Sequence, residues 1–310
     1  MEKSIKAFAP ATCANVACGF DVLGFAVENP GDEVELRLNN SNEIKITSIT
    51  GDDGRLSLDP AKNTVSLVIQ KYLEHIGVSQ GVDIALTKKM PLGSGLGSSA
   101  ASSVVGVYAL NELLGKPLTQ KELLPFAMEG ERLACGSAHA DNVAPALLGG
   151  FVLVRSYDPL DVISLPTPKD LWATIIHPHI EVKTKDARSI LRQEIQLSKA
   201  VEQWGNLGGL ISGLYENNYD LIGRSLKDVI IEPIRSILIP GFEQAKQAAL
   251  ENGALGSSIS GSGPSIFALA KDEQTANKIG LAMTAVYDSI NIASEVYTSK
   301  VNAEGPRIIS

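Results

Sequence analysis

The sequence predicts an α+β protein of two domains, on three observations. Strand-like and helix-like segments interleave in both halves without the steady strand–helix alternation of a doubly wound sheet. A Pro- and Asp-rich stretch near the middle, "SYDPLDVISLPTPKDL" (Ser156–Leu171), interrupts the pattern. The chain has 310 residues, 44% hydrophobic and 20% charged, which is enough for one large domain or two ordinary ones. The division drawn from these features is 1–165 and 166–310. Aromatics are only 5% of residues, so the core must rest on Ile, Leu, Val and Ala.

Taken in order, "SIKAFAPAT" and "DEVELRL" read as strands, the second alternating Val34, Leu36 and Leu38 with charges, and "NEIKITSIT" extends the β-rich opening. Helical spacing of Val65, Val68, Ile69, Tyr72 and Leu73 marks "NTVSLVIQKYLEHIG" as a helix that Gly77 stops. "GVDIALTKKMP" is a strand with Val82, Ile84 and Leu86 on one face. It runs into a Gly/Ser stretch and then a helix, "AASSVVGVYALNELLG", ended by Gly115 and Pro117. A helix near "QKELLPFAMEGERLA" precedes a loop, short helix and strand in "GSAHADNVAPALLGGFVLV". Beyond the proposed boundary come a strand, "WATIIHPHIEV", a helix, "TKDARSILRQ", longer helical patterns, a second Gly/Ser stretch, and a closing helix–strand pair. No internal repeat at solenoid periods is present.

The formal charge is −8, from 27 basic and 35 acidic side chains spread without blocks. Nucleic-acid binding needs a basic face, which this balance does not supply. An anionic ligand must therefore be held by a local device against the global field. No stretch approaches the roughly 18–20 apolar residues that span a bilayer, and "MEKSIKAFAPATCANV" lacks the apolar core of a signal peptide. Three cysteines, Cys13, Cys18 and Cys135, cannot all pair. A reduced, cytoplasmic location is the expectation.

The local device is "PLGSGLGSSAAS", Pro91–Ser102, three glycines and five serines without a charge. A strand, a glycine turn and a helix start make an anion site, because bare amides approach the ligand and the helix end adds about half a positive charge. It is not a Walker loop, since Ser98 and Ser99 follow Gly97 with no lysine. Nor is it the dinucleotide fingerprint, since Ser98 stands where the third glycine belongs. The plain alternative is a turn before a tightly packed helix. A second small-residue stretch, "GSSISGSGPS" (Gly256–Ser265), weighs against it, because two such loops can close on one polyanion.

These segments resemble a known family. "PLGSGLGSSAAS" is similar to the second signature of the GHMP kinases, "ALGSSISGSGPSIFAL" to the third, and "APATCANVACGFDVLGFA" to the first, in the family's order and from end to end of the chain. Within that superfamily, "PATCANVACGFDVLG", "GSAHADNVAPALLGG", "TKDARSIL" and "EPIRSILIPGF" resemble the segments that shape the amino-acid pocket of the homoserine kinase branch. The chain departs from that branch at Ala17-Cys18, where Gly-Pro is usual. The fold implied is an N-terminal domain like ribosomal protein S5 domain 2 and a ferredoxin-like C-terminal α/β sandwich.

The resemblance implies an ATP-dependent kinase that converts L-homoserine to O-phospho-L-homoserine and ADP on the route to threonine. It implies that the backbone from Pro91 through Leu92, Gly93, Ser94, Gly95, Leu96, Gly97, Ser98 and Ser99 to Ala100 and Ala101 holds ATP, with Asn63 beside the adenine and Lys88 lining the same site. Ser99 and Glu131 would bring Mg²⁺, with Ser98 the fallback hydroxyl and Glu129 a rival carboxylate. Asn15 and Asp21 would receive the ammonium, Arg188 and Arg235 the carboxylate, and His139 would complete the pocket. Thr184 and Arg188 would act by orientation and charge, Asp141 would be secondary as a base, and Asn142 would match the asparagine this branch carries where other GHMP kinases have the catalytic aspartate. A homodimer is also implied. Two other readings stand beside this one: a GHMP kinase of mevalonate type, and a non-catalytic sensor of the same fold.

Some signals are set aside. His177 and His179 share a strand face but lack a third metal ligand in sequence. Cys13 and Cys18 read as buried thiols, and Trp172 and Trp204 as core or interface anchors.

Overall fold

A computed structural model describes residues 3–136 and 139–310, apart from the side chain of Cys135, so the reading of that thiol lies outside the described residues. The first part of the chain contains β1 (Ser4–Ala14), β2 (Leu23–Asn39), β3 (Ile44–Thr50), α1 (Thr64–Ile76), β4 (Gly81–Thr87), α2 (Ser98–Leu113), α3 (Leu124–Cys135), α4 (Ala140–Leu148), β5 (Phe151–Tyr157) and β6 (Leu160–Leu165). The remainder contains β7 (Trp172–Pro178), α5 (Thr184–Ser189), α6 (Leu197–Glu216), α7 (Tyr219–Ser225), α8 (Glu232–Arg235), α9 (Phe242–Glu251), β8 (Gly256–Ile259), β9 (Ile266–Ala270), α10 (Glu273–Ser289), β10 (Ser294–Lys300) and β11 (Arg307–Ile308).

The strand foreseen at "DEVELRL" is the second half of β2, which starts at Leu23. Its first half pairs with β5, Leu23 opposite Leu153, and its second with β4, Val34 opposite Leu86. Pro30 cannot donate to a ladder, and it falls in the irregular stretch where the β1 register jumps from Gly31 to Ala26. The path of the first sheet is β11-β1-β2-β4-β3, with β5 and β6 added through β2. Helix α1 buries the apolar face expected of it, and Gly77 closes it at φ 68°. Helix α2 is buried on nearly every side, from Ala100 to Leu110.

The second sheet has the order β10-β7-β9-β8, antiparallel throughout, with α9 and α10 packed on it. The second Gly/Ser stretch is its β8–β9 hairpin, the bare residues forming the turn. Two corrections concern the proposed division at 165/166. β11 returns to the first sheet, Phe8 opposite Arg307, so the last residues belong with the first strands. Leu210, Leu214 and Ile222 of α6 and α7 join the larger core rather than the core of the second sheet.

Phe267 of β9 meets Phe25 of β2 edge-on at 5.5 Å, and Phe25 meets Phe151 of β5 at 5.1 Å. All three rings are fully buried, a contribution of about 1.5–3 kcal/mol each by burial. The two sheets are thus welded along this seam. Cys13 and Cys18 are buried free thiols whose pKa burial pushes up to about 12. Trp172 is half-buried, but Trp204 is 62% exposed on α6 and so is no core anchor.

Candidate active site

Between β4 and α2, Gly93, Gly95 and Gly97 all have left-handed backbone, at φ 73°, 78° and 66°. Each serves a different need. Gly93 faces open space. A Cβ on Gly95 would lie 2.5 Å from the Ser260 carbonyl oxygen, because this loop packs directly on the β8–β9 turn. Ser260 Oγ donates to the Gly95 carbonyl (2.7 Å), and the Ser265 amide to that of Ser94 (3.2 Å). Gly97 is the N-cap of α2, and no side chain caps that end. The first amides of α2 are therefore open to an external anion at the positive end of the helix.

Leu92, Gly93, Ser94, Gly95, Gly97, Ser98 and Ser99 line a cleft of about 540 Å³. Leu96, Ala100 and Ala101 do not line it: they are fully buried beneath the loop. Pro91 faces a neighbouring cleft instead. Lys88 borders the same cleft. Its ammonium is buried under the loop, paired with Asp32 and donating to the Ser98 carbonyl (2.8 Å) and Ser102 Oγ (2.7 Å). It braces the start of α2 from below rather than offering charge to a nucleotide. Asn63 borders the cleft, but its side chain is committed, capping α1 through the Val65 amide (3.1 Å) and donating to the Ser57 carbonyl (3.0 Å).

The other half of the cleft is built by side chains. The chain leaves β1 through Asn15, Val16 and Ala17, all left-handed at φ 72°, 43° and 58°, a geometry that costs about 1–3 kcal/mol at each such residue. Ala17 thus holds, with strain, a conformation glycine adopts freely. Asn15 borders the cleft with its side chain already engaged. Its Nδ2 donates to the Gly261 carbonyl (2.7 Å) and its Oδ1 accepts the Asp21 amide (3.0 Å), so it joins this loop to the hairpin turn.

Asp21 and Arg188 come together from 167 residues apart as a two-bond fork, 2.9 Å on each arm. This bond is the main reason the Arg188 pKa is raised. Arg235 is buried behind them. It donates to the carbonyls of Ala187 (3.0 Å) and Gly261 (3.1 Å) and lies 4.9 Å over the Phe20 ring, which Arg188 also covers. Burial, then the Arg188 charge, lower its pKa. Burial likewise lowers that of His139, the N-cap of α4, against the pull of Asp21.

At the junction of the two halves stand Glu131, Asp141, Asn142 and Thr184. Glu131 is buried, whereas its rival Glu129 is engaged with Arg132 at the surface (3.3 Å). Asp141 is buried, with Oδ1 lacking a protein hydrogen bond. Burial, then the Asp21 and Glu131 charges, raise its pKa to about 7. Asn142 Oδ1 accepts from Thr12 Oγ1 (2.8 Å), and Thr184 Oγ1 meets Ser262 Oγ at 3.3 Å. Ser98 Oγ is also buried without a protein partner. Such an oxygen set fits a hard divalent cation that arrives with phosphate, because it is too sparse to hold one alone. Among the described residues no group of three His, Cys, Asp or Glu side chains is arranged for a metal, His177 and His179 included.

The sequence reading missed Phe20 and Tyr157. Phe20 is the ring under both arginines. Tyr157 Oη donates to the Asp21 carbonyl (3.1 Å) and accepts from the Ala140 amide (3.2 Å), tying the loop to α4. Phe20 lies inside the first signature segment, next to Asp21, whereas no local pattern marks Tyr157.

Comparison with known proteins gives the relatives of the chain. Residues 63–150 match the family model of the GHMP kinases N terminal domain, and residues 210–289 that of the GHMP kinases C terminal. A homoserine kinase of Chlorobaculum tepidum is 53% identical over 99% of both chains. The crystal structure of a homoserine kinase from Cytophaga hutchinsonii is 68% identical, with a TM-score of 0.97 over 100% of this chain and 98% of that one. An L. major mevalonate kinase solved with R-mevalonate shares the fold alone, at 16% identity and a TM-score of 0.74 over 97% of each chain.

Proposed function

The chain belongs to the homoserine kinases of the GHMP kinase family, and from that premise we propose how its residues perform ATP-dependent phosphorylation of L-homoserine. The observation that carries the proposal is the uncapped start of α2, behind three left-handed glycines, facing the Asp21–Arg188–Arg235 group across one cleft.

The triphosphate lies along the backbone from Gly93 to Ser99, held by amides at the positive helix end. Asp21 receives the substrate ammonium, and Arg188 and Arg235 grip its carboxylate. Because Asp21 and Arg188 are already paired, a zwitterion enters by exchange, leaving neither charge without a partner. Asn15 and Tyr157 fix the loop that carries Asp21, and neutral His139 closes the pocket wall. A mevalonate-like acid brings no ammonium and would strand Asp21.

Phosphoryl transfer demands mainly positioning and charge neutralisation. Thr184, at the first turn of α5, and Asn142, fixed by Thr12, orient the hydroxyl end. Asp141 takes up the hydroxyl proton as a secondary aid, since proton removal can lag behind cleavage in a loose transition state. Mg²⁺, when bound, neutralises phosphate charge. Glu131 and Ser98 are the residues to hold it, Ser98 preferred over Ser99 because its buried Oγ has no protein partner.

The product enters the route to threonine. We place the enzyme in the cytoplasm, where thiols such as Cys13 and Cys18 stay reduced. We also assign it a homodimer. The exposed face of Leu197, Val201, Trp204 and Tyr215 on α6 offers a second copy an apolar surface.

An ADP-release assay with homoserine, mevalonate, galactose and shikimate tests the proposal. Turnover of homoserine alone supports it. Preference for mevalonate would overturn the substrate, and tight ATP binding with no turnover of any would leave a sensor.

A further inference from the structure

Helix α6 turns Ala200, Gln203, Leu210, Gly213 and Leu214 inward. Gln203 is the polar side chain in that stripe, and packing alone gives no reason for an amide there. Its carboxamide is fully engaged. Nε2 donates to the Cys18 carbonyl (3.1 Å) and to Asp228 Oδ1 (3.0 Å), while Oε1 accepts the Val229 amide (3.0 Å).

Both ends of this bridge lead to the amino-acid pocket. Cys18 follows the left-handed run of Asn15, Val16 and Ala17 and precedes Phe20 and Asp21. A strained run persists only where its surroundings over-determine it, and the bond to Cys18 supplies such a restraint. Asp228 also accepts the amides of Ile230 (2.9 Å), Ile231 (3.0 Å) and Glu232 (2.9 Å), so it organises the entry to α8, which ends in Arg235. The loop carrying Asp21 and the helix carrying Arg235 are more than 200 residues apart in sequence, and Gln203 joins them with one side chain.

We propose that Gln203 is a positioning residue. It fixes the distance between the acidic loop and the buried arginine, and thereby the fit for a small zwitterion. The inference rests on the reading that homoserine's ammonium and carboxylate occupy this pocket. The phosphate loop makes no bond to Gln203, so the effect is confined to the amino-acid substrate.

The test is steady-state kinetics of the full chain carrying Gln203→Leu, with homoserine and ATP varied separately and melting temperature measured alongside. The expected result is a homoserine KM raised about tenfold and an ATP KM within about twofold of wild type, the size of one lost charged-group hydrogen bond. Asp228→Asn, which keeps shape but weakens the same bridge, is predicted to show the same split, and it decides the matter should Gln203→Leu not fold. A lower melting temperature with both KM values unchanged would overturn the inference, as would equal rises in both. Wild-type turnover of homoserine tests the substrate reading on its own, so the two failures are told apart.

Discussion

The two halves of the cleft are made from different materials. The glycine-loop half, which we propose takes the nucleotide, is mostly main chain: glycines at Gly93, Gly95 and Gly97, an uncapped helix end, and a brace from the hairpin turn through Ser260 and Ser265. The opposite half, proposed for the amino acid, is side chain: Asp21, Arg188 and Arg235, from three separate segments, around the Phe20 ring. A triphosphate is recognised by many amides, none of them individually decisive. A small zwitterion is recognised by a few charges whose spacing is everything. The first half should therefore fail by backbone distortion and the second by loss of single charges.

The largest effect is expected from Gly95→Val. The new Cβ meets the Ser260 carbonyl oxygen and forces a β-branched residue to φ 78°. Left-handed backbone alone costs about 1–2 kcal/mol, and the collision with main chain adds to it. ATP affinity should fall at least a hundredfold while homoserine binding by calorimetry changes little. Equal loss of both would show that the halves are not separable.

Arg235→Met comes next. It keeps much of the stem but removes the buried charge, and a charged hydrogen bond left unmade costs about 2–5 kcal/mol. Homoserine kcat/KM should drop about a hundredfold or more with ATP affinity retained. An unchanged homoserine KM would remove Arg235 from the pocket.

Asp141→Asn is the mildest. The account predicts kcat lowered about tenfold, below the roughly 10²–10⁴-fold of a full general base, with both affinities kept. Abolished turnover would make Asp141 the required base. Stability should move the other way. Folding raises this carboxyl from 3.8 to about 7, so below pH 4 it is neutral folded or unfolded and carries no ionisation penalty. The penalty grows between pH 4 and 7 and is constant above, with a ceiling of about 4 kcal/mol. In chelator, thermal melts should show the Asn variant gaining on wild type as pH rises through that window. A gap independent of pH would contradict the assigned environment.

The same division explains what could be read from the chain. Glycine spacing between a strand and a helix is a local signal, and it marked the bare loop before α2, just as apolar spacing marked helix α1. Family resemblance singled out Asp21, Arg188 and Arg235, which the fold brings together around Phe20. What neither gave was the state of each side chain. Lys88 sits beside the loop in sequence, but its partner Asp32 lies 56 residues away across the sheet, so a buried brace looked like a nucleotide ligand. Asn15 looked free because Gly261, which accepts its amide, is 246 residues distant. Leu96, Ala100 and Ala101 belong to the motif by letter yet face the core. The late return of β11 to the first sheet rests on one short pairing that no periodicity announces. Long-range partners decide whether a polar residue is a tool or a tie.

The most direct test of the account is a crystal structure of the enzyme with a non-hydrolysable ATP analogue, magnesium and L-homoserine. It should show the β- and γ-phosphates on the amides between Gly93 and Ser99, and the Asp21–Arg188 fork opened, with ammonium on the aspartate and carboxylate on the arginines. Phosphates seated elsewhere, or homoserine bound with that fork still closed, would contradict it.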